Sequence, residues 1–428
     1  MSVLMCVPFV GLILSIALLP LLTPKLWHKN YGKIAFGWLV FGAWSIGHFM
    51  SPETAVRSIS HALVEDYVPF ICIVFALYTI SGGLRVHIHA NPTPGLNTAI
   101  LFLGAVFANF VGTSGASMIL IRPFLKLNHH RSNRTHQVIF FIFAVSNIGG
   151  LLTPLGDPPL FMGFLKGVDF FWTAQHLWAP YTVTLGILLS IFYVVDRRLC
   201  EVELCSQPAD HKINISIDGK IHFFLLLGVV ALVLQSGIWK PEEYFHVLGI
   251  EVGRQNMMRD VGMVLLAALS LLMTPMKIRR GHEFHWEPFF EIAKLFLAIF
   301  ITLIPVLWMM QEFGSHLTAP LTATEYFWLS GGLSAFLDNA PTYLAFFNLA
   351  GGDPSQLMMG KASILIAISL GSVYMGALTY IGNAPNFMVA TIARNYQIRM
   401  PSFFGYMAWS FAVLLPIFIL INWLFVGK

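Results

Sequence analysis

Prolines, glycines and one carboxylate interrupt an apolar segment between residues 137 and 167. The run from Asn147 to Pro159 reads NIGGLLTPLGDPP and contains three prolines, three glycines and Asp157. A proline inside a helix removes a backbone donor and clashes with the preceding turn, and lipid tolerates free backbone groups only where they line a polar cavity. A kinked helix would not need Asp157, and an intramembrane carboxylate is costly. The run therefore predicts a discontinuous transmembrane helix that binds a substrate or an ion.

Three further apolar segments are interrupted by glycine, proline or polar residues. The segment 362–392 repeats the first pattern, because GALTYIGNAP, beginning at Gly376, parallels GLLTPLGDPP, beginning at Gly150. The apolar segments 96–121 and 326–350 are interrupted by the polar runs 109–115 and 338–342. These two runs predict the tips of hairpins, and the comparison of the tips pairs Asn109 with Asn339.

The polar residues of these runs predict two binding sites. If each hairpin tip meets the broken helix of its own half, each site carries one carboxylate. The predicted members of the first site are Asn109, Thr113, Thr153 and Asp157. Those of the second are Asp338, Asn339, Thr379 and Asn383, and Asn147 and Asn386 belong to the same interrupted runs. In this pairing Asp157 corresponds to Asn383, and Asp338 corresponds to Ala108.

The ligand types at these sites suit a small cation. Carboxylate, amide, hydroxyl and freed backbone carbonyl oxygens are hard ligands, which bind such ions better than soft metals. The predicted sodium ligands are Asp157, Asn109, Asp338 and Asn383. A proton and a sodium ion would compete for one Asp, which is the minimal chemistry of antiport. No resident cofactor is expected, because Na+ and H+ would be the transported or coupling ions.

The composition identifies the class of protein. Of the 428 residues, 57% are hydrophobic and only 11% are charged, whereas soluble proteins carry about 25% charged residues. The sequence therefore predicts an all-α polytopic membrane protein with the lipid bilayer as its partner. The formal charge of +4 resides in loops between apolar segments and does not imply nucleic acid. The four cysteines show neither a disulfide framework nor metal-ligand spacing, and the apolar start is expected to be an uncleaved span.

Apolar segments of spanning length predict ten crossings and two re-entrant hairpins. The crossings are expected at roughly 2–24, 34–50, 61–84, 137–167, 178–196, 221–238, 259–275, 290–311, 362–392 and 403–425. With 96–121 and 326–350 as hairpins, most of the 25 Lys and Arg residues fall on one side, as the positive-inside rule requires. If both segments crossed once, the balance would reverse.

This topology predicts two repeats of opposite orientation. Residues 1–198 and 221–428 each contain three spans, a hairpin, a broken span and a final span, and 199–220 form a cytoplasmic linker. Inverted repeats whose broken helices meet near the midplane are the architecture of secondary transporters. The expected location is the cell inner membrane, with the N- and C-termini outside.

The interrupted runs resemble those of the ion transporter superfamily. The resemblance rests on Asn147 to Pro159, Leu333 to Pro341 and Gly376 to Met388, and it covers nearly the whole chain. This superfamily includes NhaD-type sodium/proton antiporters, arsenite exporters and dicarboxylate or citrate carriers. The resemblance implies two midplane sites formed by hairpins and broken helices, and a homodimer.

The motifs divide between two branches of that superfamily. Gly156-Asp157 and Asp338-Asn339 are similar to the antiporter pattern. Carboxylate carriers typically have Ser-Asn-Thr at both hairpin tips and Thr where Asp157 stands, and neither tip has that sequence here. The context of Pro158-Pro159 and of residues 383–386 is closer to the citrate-carrier-like branch. Sodium/proton antiport is the main hypothesis, and sodium- or proton-coupled transport of citrate, a dicarboxylate or another small organic anion or ion is the alternative.

An intramembrane protease is a third hypothesis, from a different class. The run 112–115 reads GTSG and resembles the Gly-x-Ser-Gly of rhomboid-like serine proteases, with His48 or His61 as a candidate base. The same residues suit a non-helical hairpin tip equally well. An aspartyl protease is disfavoured because Pro154 stands where its Gly-x-Gly-Asp motif requires glycine. The chain is therefore expected to be a transporter and not an enzyme.

Overall fold

The protein is a bundle of helices with two small sheets. The computed structural model describes residues 3–202, 213–275, 279, 284–316 and 320–427. The helices are α1 (Val7–Leu22), α2 (Pro24–Phe49), α3 (Pro52–His61), α4 (Val68–Ser81), α5 (Pro94–Leu127), α6 (Thr135–Ala144), α7 (Pro158–Leu165), α8 (Trp172–Val202), α9 (Ile221–Ile238), α10 (Arg254–Met273), α11 (Glu287–His316), α12 (Ala323–Ser334), α13 (Asn339–Leu349), α14 (Pro354–Met359), α15 (Ala362–Met375), α16 (Ala384–Asn395) and α17 (Phe403–Ile421). The strands are β1 (Arg85–His89), β2 (Asn214–Asp218), β3 (Tyr244–Val247) and β4 (Ile250–Gly253).

Eight helices in the described residues are long and apolar enough to cross a membrane. The all-α polytopic membrane class predicted from composition is therefore confirmed. One of the eight is the segment Pro52–Ser81, in which a π-helical turn (Ala62–Tyr67) joins α3 to α4. At 26 residues, α2 is also long enough to cross. One of the eight, Pro94–Leu127, folds back on itself as described below; the other seven, α2 and the interrupted helices α6–α7 and α15–α16 make ten segments that can cross among the described residues.

The strands were not predicted, and they lie between the apolar segments. β1 pairs with β2 and β3 pairs with β4, both antiparallel. β2 lies within the predicted linker 199–220, of which residues 203–212 fall outside the described residues. The connection between β3 and β4 places both Leu248 and Gly249 at positive φ, as two-residue hairpin turns require.

The segment predicted as the first hairpin folds back on itself. α5 contains Gly112 at φ 78° and ψ 154°, a conformation available to glycine that interrupts the helix. The side chains of Asn97 and Asn128 exchange hydrogen bonds of 2.9 and 3.0 Å. A straight helix of that length would hold these residues about 46 Å apart at 1.5 Å per residue. The contact confirms the fold-back predicted for 96–121 and extends its arms to Pro94 and Leu127.

The second hairpin consists of α12 and α13. Its arms are separated by residues 335–338, and the rings of Tyr326 and Phe346 lie 6.3 Å apart near the ends remote from the tip. Thr322 and Glu325 form a capping box that begins α12, which satisfies backbone donors in the first turn. This segment also folds back, as the sequence predicted for 326–350.

The two broken helices restart after matching interruptions. α6 ends at Ala144 and α7 begins at Pro158, while α15 ends at Met375 and α16 begins at Ala384. A proline lies in the first turn of both α7 and α16, where its missing N–H would have no helical partner anyway. A Cβ on Gly156 would lie 2.2 Å from the Gly150 carbonyl oxygen, so this crossing of the chain requires glycine.

The two broken helices run in opposite directions. At one end, Thr135 Oγ1 donates a hydrogen bond of 3.0 Å to the Arg399 carbonyl, which joins the start of α6 to the segment after α16. At the other end, a Cβ on Gly167 would lie 3.1 Å from Pro354, which joins the segment after α7 to α14. The beginning of each broken helix therefore lies beside the end of the other.

A buried polar cluster closes the base of the first hairpin. Asp196 of α8 accepts hydrogen bonds from Asn97 at 2.9 Å, Arg131 at 2.7 Å and Gln137 at 3.1 Å, and it lies 2.7 Å from His136 Nε2. All of these side chains are buried. The cluster ties the ends of α5 and the start of α6 to α8. It thereby positions the hairpin tip relative to the first interruption.

Candidate functional site

Asp157 lies at the centre of a buried polar site. Its side chain is 1% exposed. Thr113 Oγ1 donates to Asp157 Oδ1 at 2.8 Å, and Asn383 Nδ2 donates to the same oxygen at 3.2 Å. Asn339 Nδ2 donates to Asp157 Oδ2. The carboxylate is thus held by three uncharged donors, two of which come from the second half of the chain.

Each of these residues stands at an interruption of a helix. Thr113 follows the break at Gly112, and Asn339 is the first residue of α13. Asp157 and Asn383 immediately precede α7 and α16, both with extended backbone near φ −150°. The interruptions free these residues from helical backbone geometry, so their side chains converge on one point.

The predicted grouping into two separate sites differs from the structure. Asn339 and Asn383 were expected in a second site, but both donate to Asp157. Asp338 caps α13 by accepting from the Ala340 backbone N–H at 3.3 Å, and it lines the same cavity as Asp157. A buried carboxylate needs donors for its lone pairs, and the antiparallel broken helices bring those of the second half within reach.

The hydrogen bonds also correct the predicted correspondence of the hairpin tips. Thr153 Oγ1 donates to the Asn109 carbonyl, and Thr379 Oγ1 donates to the Ala335 carbonyl, and each bond spans 44 residues. By this shared bond Asn109 corresponds to Ala335, and Thr113, four residues later, corresponds to Asn339. Asp338 therefore stands at the position of Gly112, not of Ala108. The sequence pairing failed because it matched residue types without knowing where each tip contacts its broken helix.

Three predicted ligands fasten the hairpin tips instead of contacting the carboxylate. Asn109 Oδ1 accepts from the Leu152 backbone N–H at 2.8 Å, so its amide oxygen is engaged. Thr153 and Thr379 donate to carbonyls of the hairpin tips, and Thr379 Oγ1 also accepts from the Gly382 N–H at 3.1 Å. These bonds satisfy backbone groups that the interruptions would otherwise leave unpaired.

Two asparagines join the broken helices to each other. Asn147 Nδ2 donates to Asn386 Oδ1 at 2.7 Å, and Asn386 Nδ2 donates to the carbonyls of Gly376 and Thr379 at 2.9 Å. Asn147 Oδ1 also lies 3.3 Å from Asn383 Nδ2. Asn147 and Asn386 therefore position Asn383, which in turn contacts Asp157.

A small cavity, here named the central cavity, opens beside Asp157. It has a volume of about 80 Å³. Asp157, Asp338 and Asn383 line it from the interrupted segments, and Phe70 of α4 and Phe296 of α11 line the opposite wall. Those two rings stack with their centroids 4.4 Å apart. In the part of the chain that the structure describes, no lysine, arginine or histidine lines this cavity.

The polar atoms around Asp157 fit a small cation or a proton. Asn339 Oδ1 is buried without a hydrogen-bond partner among the described residues. Rotating this amide exchanges its oxygen and nitrogen, a choice fixed only by the surrounding hydrogen bonds. The rotated oxygen would face Asp157 Oδ2 and would be stable there only with a proton or a cation between the two atoms. In either orientation the Asn339 amide presents a polar atom, an N–H donor or an oxygen, to Asp157.

Some residues of the site were not predicted from the sequence. Ser146 contributes its carbonyl to Asn383 at 3.2 Å and its hydroxyl to Ser117 at 2.8 Å. Ser146 directly precedes the polar run that was singled out, so a wider reading of that run would have included it. The aromatic wall from α4 and α11 carries no comparable signal, because its residues resemble those of any apolar span.

Comparison with known proteins identifies the family of this chain. No curated protein matches the chain. The family described as "Putative citrate transport" matches residues 1–426, which is nearly the full length. This match does not separate a sodium/proton antiporter from a citrate carrier. Because this match covers nearly the whole chain, the chain belongs to this citrate transport family of membrane transporters.

Proposed function

We propose that this chain is a cation-coupled secondary transporter in which a proton and a sodium ion compete for Asp157. The observation that carries the proposal is the environment of this carboxylate. Asp157 is buried, is held only by uncharged donors and shares the central cavity with Asp338. No basic side chain in the described lining is paired with Asp157, so an incoming cation would not have to displace one.

The electrostatics of the central cavity favour a cation. Burying an ionised carboxylate without a counter-charge is expensive, even when it accepts hydrogen bonds. Asp157 and Asp338 repel each other when both are ionised, and a bound proton or cation relieves that repulsion. The volume of about 80 Å³ also suits an ion with few waters better than an organic acid.

The opposed broken helices support an alternating-access mechanism. The contact of Thr135 with Arg399 and that of Gly167 with Pro354 are those expected of inverted repeats over residues 1–198 and 221–428. In transporters of this architecture one repeat moves relative to the other around a fixed site. Both chain termini lie near the connection between α11 and α12, since Cys6 contacts Met309 of α11 and Gly427 approaches Thr324 of α12. The two termini are therefore on the same side of the bundle. Termini outside, the inner membrane and a homodimer remain part of the proposal.

Sodium/proton antiport is the activity that this site supports best. The test uses protein reconstituted in vesicles with a trapped pH-sensitive dye and an imposed sodium gradient, without any organic anion. Wild-type vesicles should move protons in response to sodium, and Asp157→Asn and Asp338→Asn vesicles should not, although both variants should insert. Sodium-driven proton movement that is equal in all three would remove the carboxylates from the mechanism.

Sodium- or proton-coupled citrate transport is the second candidate, and the family match favours it. The same vesicles distinguish the two activities when labelled citrate is supplied under a sodium or pH gradient. Citrate uptake that requires a cation gradient, with no proton movement in the absence of citrate, would replace antiport by co-transport. A serine mechanism has less support, because no histidine lines the central cavity beside Ser114 among the described residues. Unchanged transport in Ser114→Ala would agree with both transport functions.

A further inference from the structure

A larger cavity lies beside the connection from α7 to α8. This second cavity has a volume of about 530 Å³. Its walls are the π-helical turn before α4, residues 164–175, the end of α9 and the start of α10. Small-molecule sites usually occupy about 300–1,000 Å³. The second cavity therefore has room for an organic ligand that the central cavity does not have.

The second cavity is stacked on the central cavity along two shared helices. On α4, Pro69 lines the second cavity and Ile73, one turn later, lines the central one. On α7, Phe164 lines the second cavity and Phe161, one turn earlier, lines the central one. The rings of Phe161 and Phe164 lie 6.2 Å apart. A solute leaving the second cavity along α4 and α7 would thus reach Asp157 past these two rings.

Hydrogen-bond donors line the second cavity. Arg259 is 2% exposed and uses three of its N–H groups, two toward Asp260 at 2.8 and 3.3 Å and one toward Asn256 at 3.2 Å. A guanidinium has five such donors, so two remain for a ligand. Trp172 is 5% exposed, and its Nε1 is buried without a partner among the described residues. A buried donor without an acceptor costs about 1–3 kcal/mol, which a bound acceptor would recover.

The lining holds three carboxylates and two basic side chains, so an anion would be bound by the unpaired hydrogen-bond donors and not by the net charge. The carboxylates of Asp260 and Glu65 are already engaged, by Arg259 and by His61 at 2.8 Å. Lys240 and Asp169 also line the second cavity, and both are exposed. The start of α10 also lines the second cavity and has no side-chain cap; its first N–H, that of Arg254, donates to the Glu243 carbonyl at 3.0 Å, and the next N–H groups of a helix N-terminus attract anions.

We propose that the second cavity is a binding site for a small carboxylate-bearing anion, which is held there beside the central cavity. Trp172 Nε1, Arg259 and Lys240 are the donors that would bind its carboxylates. Gln255 Oε1, also buried without a partner among the described residues, would accept from a hydroxyl group of the ligand. The inference rests on the proposed function, because it assigns a binding site to the organic anion of cation-coupled citrate transport.

The experiment measures citrate binding to the purified full-length protein by titration calorimetry, at constant ionic strength. Trp172→Phe keeps the ring and removes the donor, and Lys240→Gln removes a charge from an exposed position that does not endanger folding. Losing one hydrogen bond to a charged group should weaken binding about tenfold in each variant. Trp178→Phe, on an exposed face of α8, is the matched control and should bind citrate as the wild type does.

One result would overturn the inference, and Asp157→Asn would then show where the anion binds. Wild-type citrate affinity in both Trp172→Phe and Lys240→Gln would show that the second cavity does not hold the anion. Loss of citrate binding in Asp157→Asn, together with wild-type binding in the other two variants, would place the anion in the central cavity. Sodium-driven proton movement in vesicles is measured separately, so the proposed function stands or falls independently of these outcomes.

Discussion

Replacing Asp157 by Asn tests the central carboxylate without removing its hydrogen-bonding shape. In the wild type, Asp157 accepts from Thr113, Asn383 and Asn339, while Asn339 Oδ1 has no partner among the described residues. In Asp157→Asn, the new amide oxygen can still face Thr113 and Asn383. Its NH2 group would face Asn339, which can rotate and accept with the oxygen that was unpaired.

The magnitude follows from that exchange. Satisfying a buried acceptor recovers about 1–3 kcal/mol, so Asp157→Asn should be more stable than the wild type in the absence of sodium. The wild type should gain stability from sodium as RT ln(1 + [Na+]/Kd), which is about 2.7 kcal/mol at a hundredfold excess over Kd. The variant should gain none, because the Asp157 carboxylate at which the ion is proposed to bind has been replaced by an uncharged amide.

The assay is thermal denaturation in detergent over a sodium series, with choline chloride holding the ionic strength constant. Glu53→Gln removes one carboxylate from the exposed first turn of α3 and should respond to sodium as the wild type does. If Asp157→Asn keeps the full sodium response, the ion binds elsewhere. If the variant is much less stable than the wild type without sodium, the rearranged hydrogen bonds described above do not form.

Three further predictions concern the fold that positions the site. In a background free of other cysteines, the pair Asn97→Cys and Asn128→Cys should form a disulfide on mild oxidation, because these side chains are in contact. A shift in gel mobility should detect the disulfide. Absence of the cross-link would mean that the two ends of α5 lie apart. Gly156→Ala should lower the free energy of unfolding by roughly 1–3 kcal/mol through overpacking, since the new Cβ would lie 2.2 Å from a backbone oxygen. Gly186→Ala is the control, because a Cβ there meets open space. Equal melting temperatures for the two variants would contradict the close crossing at Gly156. Asp196→Asn should cost about 3–5 kcal/mol because it removes the carboxylate that pairs with the buried Arg131 guanidinium, and proteolysis should then cut near the base of the first hairpin. Wild-type resistance to proteolysis would show that the cluster does not hold the hairpin.

Local chemistry in the sequence determined where the helices are interrupted. Proline and glycine act on the backbone of their own neighbourhood, so the breaks between α6 and α7 and between α15 and α16 follow from residue types alone. The hairpins could be predicted because charge in the loops and the length of apolar segments are also local properties. For the same reason Asp157, Thr113, Asn339 and Asn383 could be named as candidates before their contacts were known.

Only the tertiary structure decided which candidates meet. Asn339 and Asn383 lie far along the chain from Asp157 and reach it because the broken helices run antiparallel. The register of each hairpin tip on its broken helix, the aromatic wall of the central cavity and the cluster around Asp196 depend in the same way on contacts between distant segments. Such contacts are set by packing and by the need to pair every buried polar group, and residue types along a single segment do not encode that pairing.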